Sequence, residues 1–200
     1  MKPLKIVTTF VIMLFIGTVN AQSGYKVGDA IEDFSLKNID GNMVSLADYQ
    51  DAKGFIITFT CNTCPYANMY EERIIALDKK YASKGYPVIA IMPNNTSVKP
   101  GDSFEEMQKR AKEKGYTFPY LIDVKQTIYP KFGATKTPHN YVVQKTSNGT
   151  IVRYIGAIDD NYKDANAVNQ KYVENAVDAL LNGKEVEVTE TKAIGCTIKV

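Results

Sequence analysis

GFIITFTCNTCPYANMYEERIIALDKKY, residues Gly54 to Tyr81, joins two kinds of hydrophobic pattern across a pair of cysteines. Its first part, Gly54 to Thr60, is apolar and β-branched, the composition of a strand buried on both faces. Its second part carries Tyr66, Tyr70, Ile74, Leu77 and Tyr81 at spacings of three and four, one apolar face of a helix that ends near Gly85. Cys61 and Cys64 stand between the two, and Pro65 falls where a first helical turn tolerates a residue without an amide hydrogen.

The flanking sequence repeats the alternation of strand and helix. Upstream, Asp40-Gly41 lies between Phe34–Leu36 and Met43–Leu46 and predicts a hairpin. Downstream, Tyr86–Pro93 reads as a second buried strand. Ser103 with Glu106 has the spacing of a capping box before a helix carrying Phe104, Met107 and Ala111, which ends at Gly115. A strand over PYLIDV and a short helical segment ending at Gly133 follow. HNYVVQK and TIVRYIG are strands joined by a turn, and a last helix with Val168, Tyr172, Ala176 and Leu180 stops at Asn182-Gly183. The prediction is a single α/β domain, a central mixed sheet flanked by helices, with an N-terminal β-hairpin and a C-terminal tail over residues 184–200 that carries Cys196.

The first residues read differently. Lys2 and Lys5, the apolar run IVTTFVIMLFIG and the small residues before Gln22 form a secretory leader, residues 1–21, cut after Ala21. A membrane span needs roughly 20 apolar residues, and this run is broken by Thr8, Thr9, Gly17 and Asn20. No cysteine stands at the cut to take a lipid, so no stable membrane anchor is expected after cleavage. Residues 22–183 are then the folded domain, and removing the leader takes the formal charge from +2 to 0. Such a balance gives no reason to expect nucleic acid as a partner. Export, to a bacterial periplasm in this reading, places the three cysteines where disulfides persist. Sequons at Asn94 and Asn148 matter only in a eukaryotic secretory pathway.

A strand–CxxC–helix arrangement changes thiol chemistry. The unpaired amides of a helix start favour a thiolate, so a free-thiol pKa of about 8.5 falls toward neutrality. The expectation is that those amides serve Cys61, which attacks, while Cys64, one turn on, resolves. Thr60, Asn62, Thr63 and Pro65 form the surroundings, the polar Asn62-Thr63 pair tuning the reduction potential. A structural bridge over so short a loop constrains the unfolded chain little. A zinc site calls for a fuller set than one CxxC, one distant cysteine and the single histidine, His139.

Thr137-Pro138, in KTPHN, stands immediately before a strand. Taken with VGDAIEDFSL, DGNMVSLADY, FTCNTCPY and GAIDD, it makes the chain resemble the thioredoxin superfamily, in its redoxin, AhpC/TSA-like branch. The tail IGCTIKV also resembles that of exported bacterial thioredoxin-like proteins. The resemblance implies a thioredoxin-like fold with Pro138 cis beside the cysteines, and Thr137 backbone groups that hold a substrate in extended form. Two departures are visible: Thr60 stands where thioredoxins have tryptophan, and the strand before the cysteines lacks a buried carboxylate. Glu71 and Glu72 on the next helix leave the general base for Cys64 unassigned. Lys136, just before Thr137, could favour a Cys61 thiolate or simply face solvent.

The function expected is therefore thiol–disulfide exchange with protein or small-molecule disulfides and a redox partner protein, with no cofactor beyond the redox-active disulfide and no metal. A thiol peroxidase of the Pro-x-x-x-Thr/Ser-x-x-Cys type is one alternative, but aligning Cys64 with its cysteine leaves Ile57 and Cys61 at the proline and threonine positions. A copper-binding protein using Cys61, Cys64 and His139 is another. For Cys196 three readings stand: a lone thiol in an ordered tail, a third redox thiol, or an intermolecular bridge.

Overall fold

The computed structural model describes residues 24–200, so the leader and its cut lie outside the described residues. Ten strands and four α-helices run in the order β1 (Ala30–Ile31), β2 (Ser35–Asn38), β3 (Met43–Ser45), β4 (Gly54–Phe59), α1 (Pro65–Tyr81), β5 (Val88–Met92), α2 (Phe104–Lys114), β6 (Tyr120–Ile122), α3 (Ile128–Phe132), β7 (Lys136–Thr137), β8 (His139–Thr146), β9 (Gly149–Gly156), α4 (Tyr172–Leu181) and β10 (Cys196–Thr197).

β4 is the axis of the sheet. All six of its residues are buried, and it pairs in parallel with β5 and antiparallel with β8. The full order is β1-β9-β8-β4-β5-β6-β2-β3. The hairpin around Gly41, whose φ of 91° suits a residue without a side chain, lies at one edge. The short β1 goes to the opposite edge, against β9. The N-terminal segment thus reaches both edges of the sheet ahead of β4 in the chain.

Alternation divides the core in two. Ile56, Val88, Ala90, Met92, Val142 and Tyr154 face α1, α2 and α4, together with Cys61 and Cys64. Phe55, Ile57, Phe59, Ile89, Ile91 and Tyr141 face the other way, against Phe132 of α3, the N-terminal residues Ile31 and Phe34, and Ile198 from the chain's last turn of sequence. Each such buried side chain contributes about 1.5–3 kcal/mol relative to exposure.

The helices depart from the sequence reading in detail. Ser103 accepts a hydrogen bond from the Glu106 amide at 3.3 Å, while the reciprocal capping box occurs at Ser45 and Asp48 instead. Val168 precedes α4, whose buried residues are Val173, Ala176 and Val177. Residues Pro100–Asp102 form a 3-10 turn just ahead of α2.

Residues 184–200 are tied down along their length. Thr189 and Thr191 bond to Ile155 of β9, and β10 pairs antiparallel with β7. Gly156, at φ 149°, has no side chain to obstruct the strap: a Cβ there would fall 2.2 Å from Thr191 Oγ1.

One buried polar pair is unsatisfied. Thr58 Oγ1 and Asn140 Oδ1 find no hydrogen-bond partner, although the two residues are opposite each other in the β4–β8 ladder. Thr58→Val removes a buried hydroxyl that makes no bond, so it should be neutral or stabilising by about 1 kcal/mol. Urea denaturation checks this; a loss of stability beyond about 1 kcal/mol would show that the hydroxyl is bonded in solution.

Candidate active site

The loop between Cys61 and Cys64 is held from below by a carboxylate that the sequence reading missed. Asp102 is fully buried. Its Oδ1 accepts the amides of Asn62 and Thr63 at 2.9 and 3.0 Å. Its Oδ2 accepts the Thr63 hydroxyl at 3.0 Å and the Asn94 side-chain amide at 2.7 Å. The Asn62 side chain completes the clamp, donating to Gly101 O at 3.1 Å and accepting from the Tyr120 hydroxyl at 3.0 Å. Thr60, just past the end of β4, bonds its amide to Ile91 O at 2.9 Å.

Thr137 faces both thiols from across the site. Its hydroxyl is 3.2 Å from Cys61 Sγ, and its carbonyl oxygen accepts from Cys64 Sγ at 3.0 Å. The peptide bond from Thr137 to Pro138 is cis. Both cysteines are buried, and neither they nor Cys196 are bridged. The third cysteine joins them: the Cys196 amide donates to Cys64 Sγ at 3.3 Å, and its side chain packs against the cluster that holds both cysteines.

The helix start acts on a different sulfur from the one expected. Cys64, not Cys61, is the N-cap of α1, with Pro65 at the first helical position. The hydrogen bond from Cys61 pulls the Cys64 thiol down to about 4, against burial, and the side chain of Cys196 and the amides of Ala67 and Cys196 assist. The same bond, burial and the charge of Asp102 push the Cys61 thiol up. The two shifts run in opposite directions, so a single proton on the pair would sit on Cys61. With the proton on Cys61, the Cys61 thiol donates to the Cys64 thiolate. With it on Cys64, that thiol donates to Thr137 O, and the Thr137 hydroxyl donates to the Cys61 thiolate.

Other residues singled out from the sequence lie elsewhere. His139 packs against Tyr141 at 5.0 Å between ring centroids, on the sheet face opposite the cysteines. Its Nδ1 accepts the Thr135 amide at 3.3 Å, and burial lowers its pKa to about 4. The arrangement does not bring it to the sulfurs, as a Cys61–Cys64–His139 copper site requires. Among the described residues no group of three or more His, Cys, Asp or Glu could hold a metal ion. Lys136 reaches Thr197 Oγ1 at 3.1 Å, so it clasps the tail. Glu71 is bound to Arg110 Nε and the Tyr116 hydroxyl, both at 2.6 Å. Burial raises its pKa, but Arg110, Tyr116 and Lys114 offset this and leave it lowered. Asn94, a sequon residue, is buried between Asp102 and the Lys199 amide.

Residues 27–162 match the AhpC/TSA family, and the chain belongs to that family. It is 26% identical over 137 residues to the thiol-disulfide oxidoreductase ResA of Geobacillus thermodenitrificans (strain NG80-2), covering 67% of this chain and 71% of ResA. To the thioredoxin-like protein YneN of Bacillus subtilis (strain 168) it is 33% identical over 126 residues, covering 61% of this chain and 68% of that protein. Among solved structures, an uncharacterized conserved protein from Geobacillus kaustophilus matches with a TM-score of 0.80 at 34% identity, covering 88% of this chain and 92% of that one. The chain is a redoxin with a thioredoxin-like fold.

Asp102→Asn tests the clamp. The change removes the charge that helps to hold the Cys61 thiol up and sets an amide against the Asn94 donor. It should cost about 1–3 kcal/mol of stability and lower the pH at which Cys61 reacts with iodoacetamide. Unchanged stability and an unchanged alkylation profile would remove Asp102 from this role.

Proposed function

We propose that this AhpC/TSA-family chain is an exported thiol–disulfide oxidoreductase in which Cys61 attacks a substrate disulfide and Cys64 resolves the intermediate. The observation that carries the reading is the convergence of both sulfurs on Thr137, one at its hydroxyl and one at its carbonyl. That residue offers a hydrogen bond to each protonation form of the pair. A structural bridge has no use for such a partner.

In the first step the proton shared by the pair moves to Cys64, and the Cys61 thiolate attacks one sulfur of the substrate. The substrate S–S bond breaks and its distal sulfur leaves with the electron pair. Cys64 then attacks Cys61 Sγ of the mixed disulfide. Its proton goes to the departing substrate sulfur, the Cys61–Cys64 disulfide forms, and two electrons have passed to the substrate. Thr137 and Pro138 would seat the substrate as an extended strand, taking the place that β10 holds in this structure. The substrates are protein or small-molecule disulfides, and a partner protein exchanges electrons with the pair. Direction depends on potential. The leader pattern supports export, and among the described residues no helix is long and apolar enough to cross a membrane. The peroxidase alternative gains nothing from the site, where Ile57 and Cys61 still occupy its proline and threonine positions.

Two substitutions test the assignment of roles. Cys61→Ser should lower reduction of a model protein disulfide by about 100-fold or more. Cys64→Ser should accumulate a mixed disulfide between Cys61 and substrate, seen by mass spectrometry. Retained turnover in Cys61→Ser, or substrate trapped on Cys64 there, reverses the assignment.

The pH dependence follows from the lowered thiol. One thiolate per molecule is present above about pH 4 and is lost as the pH falls through that value. Ultraviolet thiolate absorbance should therefore persist into mildly acidic solution. Disappearance of that absorbance near the ordinary 9.0 would show that the pair does not share a proton.

A further inference from the structure

The edge of β7 that faces the cysteine pair is already occupied, and its occupant carries a thiol. β10 lies antiparallel to β7 with Cys196 opposite Thr137 and Thr197 opposite Lys136. Beyond it, Ile198 is buried and its amide bonds to Thr135 O at 3.3 Å. Lys199 is fixed from both sides, its amide on Asn94 Oδ1 at 2.9 Å and its carbonyl accepting the Asn95 amide at 2.8 Å and Gln126 Nε2 at 2.7 Å. The approach is close enough to need a glycine. A Cβ on Gly195 would fall 2.3 Å from the Thr137 carbonyl oxygen and 3.0 Å from Pro138 N. The result puts the Cys196 amide 3.3 Å from Cys64 Sγ and packs the Cys196 side chain against the cluster that contains Cys61 and Cys64.

We propose that Cys196 is a third redox thiol, held as a tethered substrate on the β7 edge, that exchanges with Cys64 in the oxidised pair. This rests on the oxidoreductase reading above. The Cys196 thiolate attacks Cys64 Sγ, the Cys64–Cys196 bond forms, and the Cys61–Cys64 bond breaks. Cys61 leaves with the electron pair and receives the proton that Cys196 gave up. One disulfide is exchanged for another, so no outside oxidant or reductant is consumed. The Thr137 hydroxyl, 3.2 Å from Cys61 Sγ, stabilises the thiolate released. The tether makes Cys196 an intramolecular reactant, at an effective concentration that free thiols do not reach. An external substrate must displace β10 to reach the same edge, so the tail and the substrate compete.

Disulfide mapping by mass spectrometry on the full chain, equilibrated in reduced and oxidised glutathione, tests the exchange. Oxidised Cys61→Ser should carry a Cys64–Cys196 bridge in preference to glutathione on Cys64. Gly195→Ala keeps every thiol but dislodges the tail, and should lower the Cys64–Cys196 bridge relative to Cys61–Cys64 by about tenfold or more. Cys64 found as a glutathione adduct beside a free Cys196 in Cys61→Ser overturns the proposal, and so does an unchanged ratio in Gly195→Ala. Either result leaves the oxidoreductase reading intact if wild-type turnover still depends on Cys61. Turnover that survives Cys61→Ser would instead remove that reading.

Discussion

A fully buried carboxylate accepts the two backbone amides between Cys61 and Cys64, and the geometry of the centre depends on that clamp. Without it the buried Asn62 amide would be left unpaired at a cost of about 1–3 kcal/mol, and the half-buried Thr63 amide would lose its partner. With it, the CxxC turn has a fixed shape before any substrate arrives. Through Asn94, the same carboxylate reaches the Lys199 amide, so the loop and the tail share one hydrogen-bonded frame. The charge also acts on reactivity, since it opposes ionisation of Cys61. Asp102 therefore sets shape and thiol chemistry together.

Thr137 does for the sulfurs what Asp102 does for the backbone. Its hydroxyl and carbonyl oxygen face different cysteines, so each placement of the shared proton leaves a bonded arrangement. Glu71, a carboxylate on the following helix, makes no hydrogen bond to either sulfur among the described residues. That glutamate is engaged with Arg110, Lys114 and Tyr116.

Local pattern made much of the structure legible. The double-sided burial of β4, the helix face from Tyr70 to Tyr81 and the hairpin at Gly41 follow from periodicity and turn chemistry, which are properties of neighbouring residues. The site was legible as far as it is local, Cys61, Cys64 and Pro65 lying within five residues; Thr137-Pro138 was placed beside them by the resemblance and not by its own pattern. Asp102 was not, because it lies about forty residues from the loop it clamps and the Pro100-Gly101 pair before it carries only generic turn chemistry. The share of the helix amides was misjudged for a related reason. Which sulfur faces α1 depends on which cysteine caps it, and a CxxC followed by proline fits either register until the chain is folded. The pairing of β10 with β7 joins two segments of two residues each, too short to carry any periodic signal.

The position of the tail has a consequence for the order of events during synthesis. Cys196 follows Cys64 by 132 residues, whereas the strands, helices and Asp102 clamp that shape the pair all precede it. A chain that emerges N-terminus first, from a ribosome or across a membrane, can assemble its sheet before the covering strand arrives. For that interval the β7 edge is bare and the two sulfurs lack their third neighbour. The newborn protein is then open to foreign thiols and to strand addition in a way that the finished one is not, and the final residues to pair close that window.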